Sequence, residues 1–92
     1  MKIAVWDTYV ARQPAATEAD TVMHFDILVP EGTPFEKVQA FGRDYLAEKG
    51  KPEHSLTTRE CQLCHVEEAS PPHSSAIKER GFSIIEMEGC ET

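Results

Sequence analysis

Residues able to coordinate a metal or exchange electrons crowd into one short run, Cys61-Gln62-Leu63-Cys64-His65. Two cysteines separated by two residues can turn both thiolates toward one tetrahedral ion, which then needs two further ligands from elsewhere. His73 and Cys90 are the preferred completions, with His54 and His65 as further donors. The candidate metal set is therefore Cys61, Cys64, His65, His73 and Cys90, and zinc is the candidate ion. One difficulty is local: adjacent side chains on extended backbone point apart, so Cys64 and His65 can ligate together only across a kink.

Other chemistries compete for the same residues. Cys-x-x-Cys-His is also the attachment pattern of c-type haem, with two thioethers, a proximal histidine and an axial partner such as Met23 or Met87. Haem is disfavoured, because attachment needs export and the stretch from Lys2 to Asp7 lacks the apolar region of a signal peptide. A dithiol redox role needs a lowered thiol pKa, usually from a helix N-terminus; Glu67 and Glu68 oppose a thiolate, and Pro71-Pro72 leave little helix to favour one. The plainest account is packing, and it weighs most: cysteine is often buried, so Cys61 and Leu63 or Cys64 fill core beside the sheet while His65 is hydrogen-bonded at the edge.

A second constellation is His24 with Asp26, two apart on one strand, with Asp7 opposite on another. A histidine oriented by a carboxylate is the raw material of acid-base catalysis. Polar residues alternating with apolar ones also describe a solvent-facing sheet surface. No nucleophile motif or glycine-rich phosphate loop accompanies them, so catalytic residues are not assigned.

The chain that must position these groups has 92 residues, enough for one hydrophobic core and too few for two, so residues 1–92 read as a single domain. With 40% hydrophobic and 27% charged residues it is globular in composition. A formal charge of -7 with scattered Lys and Arg excludes nucleic acid and anionic membrane as partners. No apolar run approaches a membrane span, and three cysteines, an odd number, do not suit a disulfide framework. These features predict a cytoplasmic protein with reduced thiols, folding alone or as a homodimer, whose protein partner or small ligand the residues do not identify.

Period-two alternation predicts strands at 3–10 and 21–29, paired as a hairpin around a connection at 12–20. Thr33-Pro34-Phe35-Glu36 matches a capping box, and Phe35, Val38, Phe41, Gly42, Tyr45 and Leu46 form the apolar stripe of a helix ended by Lys49-Gly50. A short strand at 55–58 leads into the cysteine cluster, and Ser70-Pro71-Pro72 opens a second helix with only Ala76 and Ile77 apolar. Gly81 ends that helix, and 82–87 forms the last strand. The expected fold is α+β in two layers: a small mixed or antiparallel sheet, order β-β-α-β-α-β, with two helices on one face.

The segments Val5 to Val10, Met23 to Val29, Glu60-Cys61-Gln62-Leu63-Cys64-His65 and Gly81-Phe82 through Cys90 resemble a small bacterial family, DUF2024, described only as a domain of unknown function. The resemblance covers nearly the whole chain. It implies a compact cytoplasmic α+β protein and brings no activity, substrate or catalytic residue. The leading functional expectation is a non-catalytic binding or interaction domain, with metal at the cysteine cluster as its specific form. The alternative is a small enzyme using thiol redox or acid-base chemistry.

Overall fold

The computed structural model describes residues 1–11, 22–49 and 61–88. In chain order these form β1 (Lys2–Ala11), β2 (Val22–Pro30), α1 (Phe35–Glu48), β3 (Cys61–Glu68), α2 (Pro71–Arg80) and β4 (Ser83–Glu88). The strands make one antiparallel sheet, ordered β3-β1-β2-β4. The expected α+β class and β-β-α-β-α-β order are both observed. Among the described residues, no helix is long and apolar enough to cross a membrane.

The β1–β2 hairpin is the centre of the sheet because both strands alternate with period two, and each therefore offers an apolar face to the same side. Its register runs from Ile3 opposite Pro30 to Ala11 opposite Val22. Ala4, Val10, Met23, Phe25, Ile27 and Val29 face α1, which buries Val38, Tyr45 and Leu46 against them. On the other side Ile3, Val5 and Leu28 enclose Ile77 of α2.

The expectation that both helices share one face is therefore corrected: α1 covers one face and α2 the other. Both faces of the hairpin are apolar near Ile3 and Leu28, so each needs cover. Ten helical residues extend about 15 Å, close to the roughly 14 Å spanned by three inter-strand steps. α2 is thus long enough to carry the chain from the edge strand β3 to the opposite edge, β4. Ile77 is its one buried residue, in keeping with its sparse apolar content.

The strand expected at 55–58 lies outside the described residues, and among those residues the third strand is the cysteine-bearing segment. The capping box does not form: Pro34 is the N-cap, and the Thr33 hydroxyl donates to the Pro30 carbonyl at 2.7 Å. That hydroxyl closes the turn after β2 and makes no hydrogen bond to the helix end. Lys49 is the C-cap, but its ammonium does not serve the helix end alone, since Nζ lies 2.9 Å from Glu86 Oε2 on β4. Gly81 ends α2 as expected, at a left-handed φ of 95° that glycine adopts without strain.

Candidate functional site

On the face that carries α2, the hairpin changes character halfway along. Ile3, Val5 and Leu28 lie under Ile77, whereas the next same-face positions are Asp7 and Tyr9 on β1 and Asp26 and His24 on β2. Register makes the cluster: Asp7 stands opposite Asp26, and Tyr9 opposite His24. Cross-strand neighbours on one face lie about 5 Å apart at Cβ, so four polar side chains meet in two adjacent rows.

His24 Nε2 and Asp7 Oδ1 are 3.2 Å apart, and the Tyr9 ring stacks on the imidazole with centroids 4.1 Å apart and planes at 15°. Asp26 is only 7% exposed. Its Oδ1 is buried with no hydrogen-bond partner, a costly condition for a carboxyl oxygen. Desolvation first, and then the adjoining Asp7, push the Asp26 carboxyl up to about 7. Asp7 moves the other way, held below the usual carboxylate range by hydrogen bonding to Asp26 and then to His24. The pair thus shares one proton near neutrality, with Asp26 its holder and Asp7 ionised.

Among the described residues, Asp7, His24 and Asp26 can each offer a ligand atom such that all three lie within 4.8 Å of one another. Donors around a single ion at bond lengths near 2.1 Å sit about 3.4 Å apart, so small side-chain adjustments would gather these three.

The cysteine-histidine segment arrives at the same face by a different route. In β3, Cys61 pairs with Thr8, Gln62 with Asp7 and Leu63 with Trp6; the register then shifts, and His65 pairs with Val5. Cys64 is the extra residue of a β-bulge, in which two residues oppose one. This bulge is the kink that adjacent Cys64 and His65 require. Cys64 Sγ lies 3.2 Å from His65 Nδ1, and His65 Nε2 lies 2.6 Å from Glu67 Oε1.

The structure does not bring the two described cysteines together. Cys61 is 1% exposed in the α1-side core, where the Thr8 hydroxyl donates to its sulfur at 3.3 Å. Cys64 is exposed. Three steps along an extended strand reverse the face, so Cys61 and Cys64 diverge where a zinc knuckle would need a turn. His73 is also apart, on α2, with Nδ1 2.7 Å from Ser83 Oγ. Cys90 and His54 lie outside the described residues. Packing accounts for Cys61, but for neither Leu63 nor Cys64, both of which are exposed.

The thiol of Cys64 is a poor redox nucleophile. Although it is exposed, neighbouring protein thins its water shell, and Asp7, Asp26 and Glu67 add negative charge, all of which push its pKa up.

Sequence reasoning singled out His24, Asp26 and Asp7 but read their face as solvated. What it missed was the burial of Asp26 and the stacking of Tyr9. Tyr9 had a readable signal, since it continues the period-two row of Asp7.

A family model described as Domain of unknown function (DUF2024) matches residues 1–87. Among solved structures, the chain is similar to the NMR structure of protein NE1680 from Nitrosomonas europaea. The two are 35% identical with a TM-score of 0.79, the match covering 99% of this chain and 100% of that one. No curated protein matches.

Proposed function

The chain belongs to the DUF2024 family, whose description indicates no function, and we propose that within it this protein serves as a binding domain for a divalent cation, held by Asp7, His24 and Asp26. The observation that carries this reading is the buried, unpartnered Oδ1 of Asp26 beside two further donors within 4.8 Å. A carboxyl oxygen shut away from water with nothing to bind is stabilised most by a cation, which would also relieve the like-charge opposition of Asp7 and Asp26. This reading moves the metal role expected at the cysteines to the hairpin, and it is supported by the position of Asp7, His24 and Asp26 on paired, rigid strands.

Isothermal titration of the full chain with Zn2+, Mn2+ and Mg2+ tests the reading. We expect one ion bound per chain, with affinity falling by at least about tenfold in Asp26→Asn. Amide NMR spectra should confirm that the variant is folded. A wild-type chain that binds none of these ions, or a folded Asp26→Asn chain that binds as well as wild type, would reject it.

A second reading rests on the opposite displacement of the two carboxyls. Groups pushed apart in pKa within one site can serve as acid and base, so the same residues suit proton transfer on a small substrate. Under that reading Asp26→Asn abolishes turnover of a substrate while ion binding is absent in the wild type.

A further inference from the structure

We infer that His65, carried on the β3 bulge, supplies the fourth donor of the site through Nδ1, and that the ion is consequently of the zinc class, a first-row cation that accepts imidazole nitrogen, in preference to Mg2+ or Ca2+. This rests on the cation-binding reading above and specifies it.

Placement comes first. Gln62 faces Asp7 across the β1–β3 ladder and His65 faces Val5, the same-face neighbour of Asp7. Diagonal neighbours on one sheet face lie about 7–8 Å apart in the backbone, within reach of a histidine side chain. Without the bulge, alternation from Leu63 would send position 65 to the α1 side.

The state of the ring comes second. His65 Nε2 lies 2.6 Å from Glu67 Oε1, a contact that requires the proton on Nε2 when the ring is neutral. The lone pair is then on Nδ1, where the present partner is the weak thiol donor of Cys64 at 3.2 Å. A ligating histidine that gives its other N–H to a carboxylate is the usual second layer of a metal centre, and Glu67 occupies that place.

Charge decides between His65 and its neighbour. Asp7 and Asp26 already balance a doubly charged ion, and an imidazole adds no further charge. A Cys64 thiolate would add a third negative charge that the ion would leave unbalanced. Two imidazoles with two carboxylates also fix selectivity: nitrogen donors suit zinc, nickel and copper, whereas magnesium and calcium take oxygen.

The experiment compares Zn2+ and Mg2+ binding to full-length wild type, Asp26→Asn, His65→Ala and Cys64→Ala, with amide NMR spectra as the folding control. Zn2+ should bind wild type more tightly than Mg2+. His65→Ala should weaken Zn2+ by at least about tenfold while leaving Mg2+ within about twofold, and Cys64→Ala should leave both within about twofold. If Asp26→Asn loses Zn2+ but His65→Ala does not, the fourth-donor assignment fails and the three-residue site stands. If Cys64→Ala is the variant that loses Zn2+, the donor is the thiol and the assignment to His65 is overturned. A wild-type chain that binds no ion overturns both.

Discussion

The carboxyl groups of Asp7 and Asp26 stand directly opposite one another across the β1–β2 ladder, and the sheet holds them in different protonation states. Like charges directly opposed in a sheet are destabilising, so the more buried carboxyl keeps its proton and the more exposed one gives it up. Asp26 is 7% exposed, against 34% for the side chain of Asp7.

A pH dependence of stability follows from Asp26. Its folded pKa of about 7 lies above the ordinary 3.8, so the folded state binds the proton more tightly than the unfolded chain. The resulting stability is fully present below the ordinary value and is lost as pH rises through about 7. Three pKa units correspond to on the order of 4 kcal/mol, and the lowered Asp7 carboxyl adds its own slope only below the ordinary carboxylate value, outside the range from pH 4 to 8. Urea unfolding in the presence of a chelator should show wild type losing about this much between pH 4 and 8. Asp26→Asn should remove most of the slope and be the more stable protein at pH 8. Equal slopes in the two proteins would show that Asp26 does not hold the proton.

Tyr45 ties α1 to the edge strand β4. Its hydroxyl donates to Glu86 Oε2 at 2.6 Å, and Lys49 Nζ approaches the same oxygen at 2.9 Å. These two partners, Tyr45 the larger, hold Glu86 below its usual range, so the stabilisation is present above that range and disappears as pH falls through the lowered value. The Glu86 side chain is 46% exposed, and solvent screens the pair accordingly. Tyr45→Phe should cost about 1 kcal/mol at pH 7 and less at an acid pH where Glu86 is protonated. A cost that is the same at both pH values would mean that ring packing, and not the hydrogen bond, accounts for Tyr45.

Gly32 and Gly81 share a left-handed backbone, at φ 89° and 95°, but differ in surroundings. A Cβ on Gly32 meets nothing within 4 Å, whereas one on Gly81 comes within 3.0 Å of Phe41 Cζ. Phe41 is itself stacked on Phe82 with centroids 4.7 Å apart, so it cannot retreat freely. Gly32→Ala should cost about 1 kcal/mol from the backbone alone. Gly81→Ala should cost about 1 kcal/mol more, because the aromatic pair joining α1 to the start of β4 must shift. Equal losses by denaturant unfolding would place Phe41 further from the turn.

Much of this frame could be read from residue periodicity. Met23, Phe25, Ile27 and Val29 alternate so strictly that β2 and its hairpin with β1 follow, and the stripe from Phe35 to Leu46 marks α1. The face taken by α2 was not legible, since Ile77 alone cannot say which side of a sheet will bury it when both sides have apolar rows. Nor was the bulge, because nothing in Leu63-Cys64-His65 differs from ordinary strand composition; it arises from pairing with Val5 and Trp6. The cysteine spacing drew attention to β3, but not to the opposite environments in which that strand leaves Cys61 and Cys64. His24, Asp26 and Asp7 were visible as types and spacing, but the burial that distinguishes a site from a wet surface depends on packing from β4, where Ile85 stands opposite Asp26.

The two described thiols provide the last test, because one strand places them in opposite environments. Cys61 lies in the core with 1% exposure and accepts a hydrogen bond from Thr8, so an alkylating reagent can reach it only when β3 detaches or the chain unfolds. Cys64 is open to reagent, but its raised pKa keeps the thiolate scarce at neutral pH. Iodoacetamide labelling followed by peptide mass spectrometry should therefore modify Cys64 and spare Cys61 in the native protein. The Cys64 rate should climb with pH beyond the range of an unperturbed thiol, and Asp7→Asn should raise it at pH 7 by removing one of the opposing charges. Substitution should divide the same way: Cys61→Ala should cost about 1–2 kcal/mol through a lost contact and a small cavity, and Cys64→Ala less than about 0.5 kcal/mol. Native labelling of Cys61 at the pace of Cys64 would remove it from the core and reopen the pairing of the two sulfurs.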